Sequence, residues 1–477
     1  MERQLPSTID YTKILPLAVE SRSRRRTFLP NNGQNFVSDQ NNVIRIDVSA
    51  NAFLDTKHSY LRFRMTNNSG QNMALDYTGG HGFIQRLTIL QQGTVLSDVH
   101  HYNRLLGSIL LPAQCGTANL SERSISEGQK YANSGGLGPL SVVTAAALEC
   151  TGAICSTPTN AVAQISPAPF AGDAYIFSIP LVNGLLGTSQ DKMVPLQLLG
   201  SAPITIEITL APSDDVGVFA AAPAAYGIDD VRYVAQLVEV GPEVDNQLRA
   251  AQAMSNGKLV LNGVDYTHFS GILAAGTQGN AVINVPARKK SMKSLLWSAG
   301  TQTLLAPIRS ACYNLSFGGH LNMVDYYMKI GSEVYPPQPI RCNFNNNQAR
   351  GQQGEPLSEL AKCMGTLHSL HGTGSLSRTN CYVTDCDNAN IAVASANGGN
   401  TVEHRFSPFG IDLEAFQRTA IESGIDTASR SLPISLNVQL GRDAGGAIAV
   451  DPITIDAYVV YDSLYFIDME GRINVSQ

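Results

Sequence analysis

Hydrophobic and polar residues alternate at period two in VIRIDV (43–48), YLRFRM (60–65), RLTIL (86–90), ITIEITL (204–210), ISLNVQL (434–440) and AYVVYDSLYFI (457–467). Side chains on an extended strand point alternately to opposite faces, so each stretch predicts a strand. Clusters of Gly, Asn, Ser and Thr such as GTGSLSRTN and NANIAVASANGGN separate them and predict loops. Helical spacing is confined to HHYNRLLGSILL (100–111) and GIDLEAFQRTAIES (410–423). Many strands, few helices and long loops predict an all-β chain of sandwiches or barrels.

The strands repeat. PITIEITL from Pro203 matches PISLNVQL from Pro433, an offset of 230. In the same order, Phe177 matches Phe406, Ser59-Tyr60-Leu61 matches Ser294-Leu295-Leu296, Gly93 matches Gly331, and Tyr233 matches Tyr458. All five offsets fall within 225–238, and unequal loops account for that drift. The pattern predicts two similar β-domains in tandem, at 42–245 and 258–477, joined by a connector at 246–257. The connector belongs to a helical stretch, 239–258, which Ser255-Asn256-Gly257 breaks. Two long stretches with almost no strand pattern, 112–172 and 341–402, occupy corresponding places in the halves. Loops of such length are usually functional.

Residues 1–41 carry no strand period and predict an extended N-terminal arm. Arg22, Arg24, Arg25 and Arg26 concentrate positive charge there, in a chain whose net charge is −6. Charged residues are only 15% of the chain, against about 25% in ordinary globular proteins. A surface so poor in charge suits a protein largely covered by neighbours, although a secreted β-protein could share the bias. The N-terminus has its arginines after its apolar residues, the reverse of a secretory signal. The eight cysteines (115, 150, 155, 312, 342, 363, 381 and 386) therefore predict free thiols, and the sequons at Asn67, Asn119, Asn314 and Asn474 predict no glycosylation.

Catalytic signatures are missing: there is no phosphate loop, nucleophile elbow or HExxH helix in the sequence. His368 and His371 could bracket a metal but lack a third ligand at useful spacing. DCDNAN (385–390) lacks the glycine and bidentate glutamate of a calcium loop. ARKKSMK (287–293) is a basic cluster without interleaved aromatics, better suited to a solvated loop or an acidic neighbour than to nucleic acid. His100 and His101 precede the first helix and predict capping or interface roles. No catalytic residue, cofactor or metal site is expected.

FIQRLTILQQGTVLSD (83–98), the IPLVNGLLG…VPLQLLG…ITIEITL series (179–210), YYMKIGSEVYPPQPI (326–340), SGIDT (423–427) and YVVYDSLYFI (458–467) together resemble the double jelly-roll major capsid proteins of Polinton-like viruses and virophages. The resemblance spans about residues 42–470 and departs from the family pattern at Val182, where an aromatic is usual. It implies an all-β fold of two tandem eight-stranded jelly-roll sandwiches, and a structural protein of the virion of an icosahedral DNA virus with a eukaryotic host. The order of residues at the N-terminus predicts synthesis in the cytoplasm or nucleus without secretion. The resemblance further implies homotrimers of pseudo-hexagonal outline, which tile a shell with neighbouring capsomers, a penton protein and minor capsid proteins. The arm would then lie on the inner face, where its arginines meet genome, membrane or protein. A carbohydrate-binding or adhesive β-sandwich protein is the alternative from another class, and the single Trp297 speaks against an aromatic binding face.

Overall fold

A computed structural model describes residues 21–68, 73–75, 78–114, 126–127, 164–165, 175–187, 192–200, 202–219, 225–274, 277, 279–301, 315, 318, 323–342, 354–367, 376, 407–415, 424–428, 433–440 and 452–477. Among the described residues, sixteen strands build two sandwiches and are numbered in chain order; the remaining strands are given by range. In the first half β1 is Ser21–Phe28, β2 Val43–Val48, β3 Phe53–Asn67, β4 Ile84–Gln91, β5 Thr94–His100, β6 Tyr175–Ile179, β7 Ile204–Leu210 and β8 Tyr226–Val240. In the second, β9 is Leu259–Leu273, β10 Gly279–Asn284, β11 Met292–Thr301, β12 Met323–Ile330, β13 Glu333–Arg341, β14 Phe409–Asp412, β15 Ile434–Leu440 and β16 Ile453–Ile467.

The sheets of the first half run β1-β8-β3-β6 and β2-β7-β4-β5, and those of the second run β9-β16-β11-β14 and β10-β15-β12-β13. All pairings are antiparallel, and every strand has its counterpart eight strands later. Two identical eight-stranded topologies confirm the repeat at the level of strands. The segments 204–210 and 434–440 each occupy the second position of a four-stranded sheet.

Face register bears out some of the matches and shifts others. Ile204, Ile206 and Ile208 enter the first core as Ile434, Leu436 and Val438 enter the second. Leu61 and Tyr233 also point into the first core, but Leu296 and Tyr458 point out of the second sandwich, towards the first. A one-residue slip reverses the face of every side chain in a strand, so the matched strands are right and the matched residues are one out of phase. Gly93 is likewise the second residue of the β4–β5 turn, whereas Gly331 is the first of the β12–β13 turn; both have positive φ.

Residues 21–28, expected in the strandless arm, form β1 and pair along their whole length with β8, from Ser21↔Val240 to Phe28↔Tyr233. The first sandwich therefore takes in residues before 42. The segment SRSRRRTF hides its strand character because seven of its eight residues are exposed, with only Phe28 buried, so no apolar period exists to read. Backbone pairing holds it in the sheet. Residues 1–20 lie outside the described residues.

Register also orients the molecule. Val48, Gln91 and Ile204 meet at one end of the first sandwich, where Ser21 pairs with Val240. The long 101–174 connection leaves and re-enters at the opposite end, where Val43, Asn67, Ile84, Leu210 and Tyr226 lie. There, short strands 73–75, 164–165 and 217–219 from three connections form a small sheet. In the second sandwich, 342–408 likewise joins β13 to β14 at the end away from Leu259 and Ile467. These are the loop end and the base end. The helix Pro242–Met254 joins base to base, and Gln91, at the base of the first sandwich, holds Gly471 and Ile473 at the base of the second, so both stand the same way up.

The helix expected over 410–423 begins as a strand, since Phe409–Asp412 pairs with β11; 416–423 lie outside the described residues. Conversely, 341–402 contains the helix Gly354–Cys363, which buries Pro356 and Leu360 against the second sandwich. The expected helix over 100–111 forms as consecutive turns from Tyr102 to Gln114.

The second core centres on Trp297, which is fully buried and stacked on Phe409 with ring centroids 4.3 Å apart. Tyr326 meets both rings edge-on. Trp297→Ala should cost about 3–5 kcal/mol in denaturant titration. A cost below about 1 kcal/mol would show that this stack does not hold the second sandwich together.

Candidate functional site

The sandwiches meet over a shared apolar layer. On β16, Ile453, Ile455, Ala457, Val459 and Tyr461 enter the second core, whereas Tyr458, Val460, Tyr465 and Ile467 join the core of the first. Close approach depends on two glycines. A Cβ on Gly263 would stand 1.8 Å from the Gly184 carbonyl oxygen, and one on Gly184 would stand 2.3 Å from Tyr465 Oη. Any side chain at either position forces the sandwiches apart.

Two polar clusters are set into this layer. In the first, the helix following β5 presents Arg104 to Asp456 on β16, with Nε and Oδ2 2.7 Å apart and side chains only 7% and 5% exposed. His268 on β9 lies 2.8 Å from the other Asp456 oxygen, and its ring packs 4.5 Å from His101 and 4.9 Å from Tyr458. The Tyr458 hydroxyl donates to the His101 carbonyl at 2.9 Å, across 357 residues of sequence. Burial alone would raise the Asp456 pKa, but Arg104 and His268 outweigh it and hold the carboxyl at about 2. Burial, with His268 and Arg104 nearby, lowers His101 to about 4.

Asp265 on β9 anchors the second cluster and is fully buried. The Ser97 hydroxyl, from β5, donates to its Oδ1 at 3.0 Å, and the Tyr266 backbone N–H donates to the same atom at 2.9 Å. Burial pushes this carboxyl up to about 6 against those donors. Lys289, lowered to about 8 by burial, stands over the Tyr461 ring at 3.6 Å and donates to Gln477 Oε1 at 2.8 Å. These groups clamp two sandwiches; among the described residues no group of three or more His, Cys, Asp or Glu side chains could hold a metal ion.

The sequence-selected residues are dispersed. Arg22, Arg24, Arg25 and Arg26 lie on the exposed edge strand β1: Arg24 pairs with Glu239, Arg25 packs 5.6 Å from the Tyr60 ring and Arg26 reaches the Ser49 carbonyl. ARKKSMK crosses from β10 to β11 at the base, where Lys290 donates to Ser476 and Lys293 pairs with Glu414. His101 is an interface residue, and His100 faces Asp98 at 3.2 Å. Cys342 and Cys363 are free thiols. His368, His371, 385–390 and the other six cysteines lie outside the described residues. Arg104, Asp456, His268 and Asp265 escaped sequence reasoning because their partners lie far away along the chain.

No family model and no curated protein matches the sequence. Solved structures do match in fold. VP54 of PBCV-1, fitted into a reconstruction of the virophage Sputnik, aligns over 98% of this chain and 99% of its own, with TM-score 0.58 and 10% identity. The Faustovirus major capsid protein aligns over 95% and 92%, with TM-score 0.54 and 8% identity. The chain has the double jelly-roll fold. The Sputnik virophage structure matches it over 100% of this chain and 92% of that one, with TM-score 0.52 and 9% identity. At such identity the shared property is the fold.

Removing one partner of a buried ion pair leaves the other charge stranded, so Arg104→Ala should destabilise the protein by about 3–5 kcal/mol in denaturant titration. Below pH about 6.5 and down to about 4, the unfolded chain protonates His101 while the native one does not, so stability is lost on acidification. Asp265 acts oppositely: its raised pKa favours the native state below about 4 and loses that advantage as pH rises to about 6. Asp265→Asn should therefore gain about 1–3 kcal/mol at pH 8 and steepen the acid-side loss between pH 6 and 4. A destabilised variant at pH 8 would refute the opposing role of this carboxyl.

Proposed function

We propose that this protein is the major capsid protein of an icosahedral DNA virus, a structural subunit without catalytic activity. The observation that carries this reading is the pair of jelly rolls standing the same way up, with the two longest connections, 101–174 and 342–408, attached at the same end. Such a molecule is a tile with distinct outer and inner faces. Three copies would present six sandwiches and a near-hexagonal outline, which packs flat against neighbours; a single sandwich would need six separate copies. The solved structures that share its fold include a viral major capsid protein, and the low charge of the chain reduces the desolvation cost of lateral contacts.

In this reading the loop end faces outward and the base faces the interior. Neighbouring capsomers, a penton protein and minor capsid proteins complete the shell, and the localisation is the virion. The β1 arginines then lie at the inner face, able to meet genome, membrane or protein.

Light scattering on purified protein should give about three times the chain mass of 51.0 kDa, and negative-stain images should show hexagonal outlines. Replacing residues 115–172 by a short turn should release monomers whose sandwiches remain folded. A wild-type chain that stays monomeric at high concentration would count decisively against a shell-building role.

A further inference from the structure

The base carries a combination that the tile reading leaves unused: exposed methionines set among cations. The end of the connector helix is pinned when the Gln252 side-chain amide donates to the Ile467 carbonyl and the Gly257 N–H donates to the Gln252 carbonyl. The turn passes through Asn256 and Gly257 at positive φ, and Met469 packs beside Gly257, 3.4 Å from where its Cβ would lie. Met254 and Met469 therefore flank one turn, and their exposures are 87% and 66%. Lys258 stands over the Phe466 ring at 5.7 Å beside them, next to half-exposed Val260, and exposed Arg249 and Arg472 lie on the adjoining helix and turn.

Topology brings more positive charge to the same end. Arg22, Arg24, Arg25 and Arg26 start the first sandwich at its base, while Arg288 and Lys290 belong to the β10–β11 turn at the base of the second. Acidic groups at this end include Glu239, paired with Arg24; Glu470, 3.2 Å from Arg472; and Asp55, Glu243, Asp245, Glu333, Asp426 and Asp468. The cations are at least as numerous as these acids, although the whole chain carries −6.

We propose that the base docks on an anionic lipid surface, with Met254 and Met469 entering the headgroup layer and the surrounding arginines and lysines meeting lipid phosphates. This rests on the reading of the base as an inner face. Cations alone would suit nucleic acid equally, and the methionines decide between the two. Flexible apolar side chains gain by entering an interfacial layer, whereas a phosphodiester backbone offers them no apolar slot. Nor does any helix among the described residues have the length and apolarity to cross a membrane, which fits docking at the surface. Each Lys or Arg close to an anionic bilayer adds to the attraction, and that attraction is screened by salt.

The test is flotation of the full-length protein with phosphatidylcholine vesicles containing about 30% phosphatidylserine, against phosphatidylcholine alone. Binding to the anionic vesicles only, weakening as salt rises, is expected. Met254→Ser with Met469→Ser should weaken binding about tenfold or more, and Arg249→Glu with Lys258→Glu should abolish it; circular dichroism checks that each variant is folded. Failure of the wild type to float, or a methionine variant that floats unchanged, would overturn the proposal. So would wild-type binding to a 30-base-pair duplex in preference to vesicles at equal salt. Particle mass measured on the same samples separates the readings: trimers that ignore vesicles sink lipid docking alone, and monomers that float sink the tile.

Discussion

Strand β16 is buried on both faces, and the architecture depends on that burial. Ile453, Ile455, Ala457, Val459 and Tyr461 from one row close the second core, while Tyr458 and Val460 from the other row, with Tyr465 and Ile467 at the base end of the strand, complete the apolar layer under the first sandwich. A sheet in an isolated antiparallel sandwich has one face in water, so its strands alternate. Here the alternation disappears over Ala457–Tyr461, and the outer row has the first sandwich as its solvent-excluding partner. The halves are one folded body in consequence: exposing Tyr458, Val460, Tyr465 and Ile467 together would uncover an apolar patch that neither half could bury alone.

An apolar layer resists separation but is indifferent to small rotations or slips. The buried charges supply direction. Arg104 reaches Asp456 and Ser97 reaches Asp265 from the helix and strand of the opposite sandwich, so each pair is satisfied in one relative placement. Such pairs gain little net stability because desolvation cancels most of the attraction. Their larger effect is on wrong placements, each of which would strand a buried carboxylate. Gly184 and Gly263 impose the same choice sterically, since backbone meets backbone where they cross.

The fixed placement turns two sandwiches into an oriented object. Antiparallel jelly-roll connectivity sends alternate connections to opposite ends, so insertions of any length can collect at one end without disturbing the other. The connections at 101–174 and 342–408 both leave and re-enter at the loop end, while the base has the connector helix, two-residue turns at Gln92-Gly93 and Gly331-Ser332, the C-terminal strand Ile473–Ser476 and the attachment points of the 180–203 and 413–433 connections. The same parity carries Arg22–Arg26 and Arg288–Lys290, far apart in sequence, to one end of the molecule.

Strand content, the doubling and the equivalence of 204–210 with 434–440 were determined by the sequence alone, because core-facing residues repeat at period two whatever they pack against. Matches such as Leu61 with Leu296 found the right strands and the wrong faces, since a strand apolar on both sides has no phase to read. Strand β1 was invisible for the opposite reason: it is held by backbone hydrogen bonds, and these leave no trace in side-chain identity. The junction belongs wholly to the tertiary structure. Arg104, His268 and Asp456 look like ordinary polar residues in their own strands and helix. Only folding, which brings together groups separated by hundreds of residues and removes water from between them, makes them a single clamp.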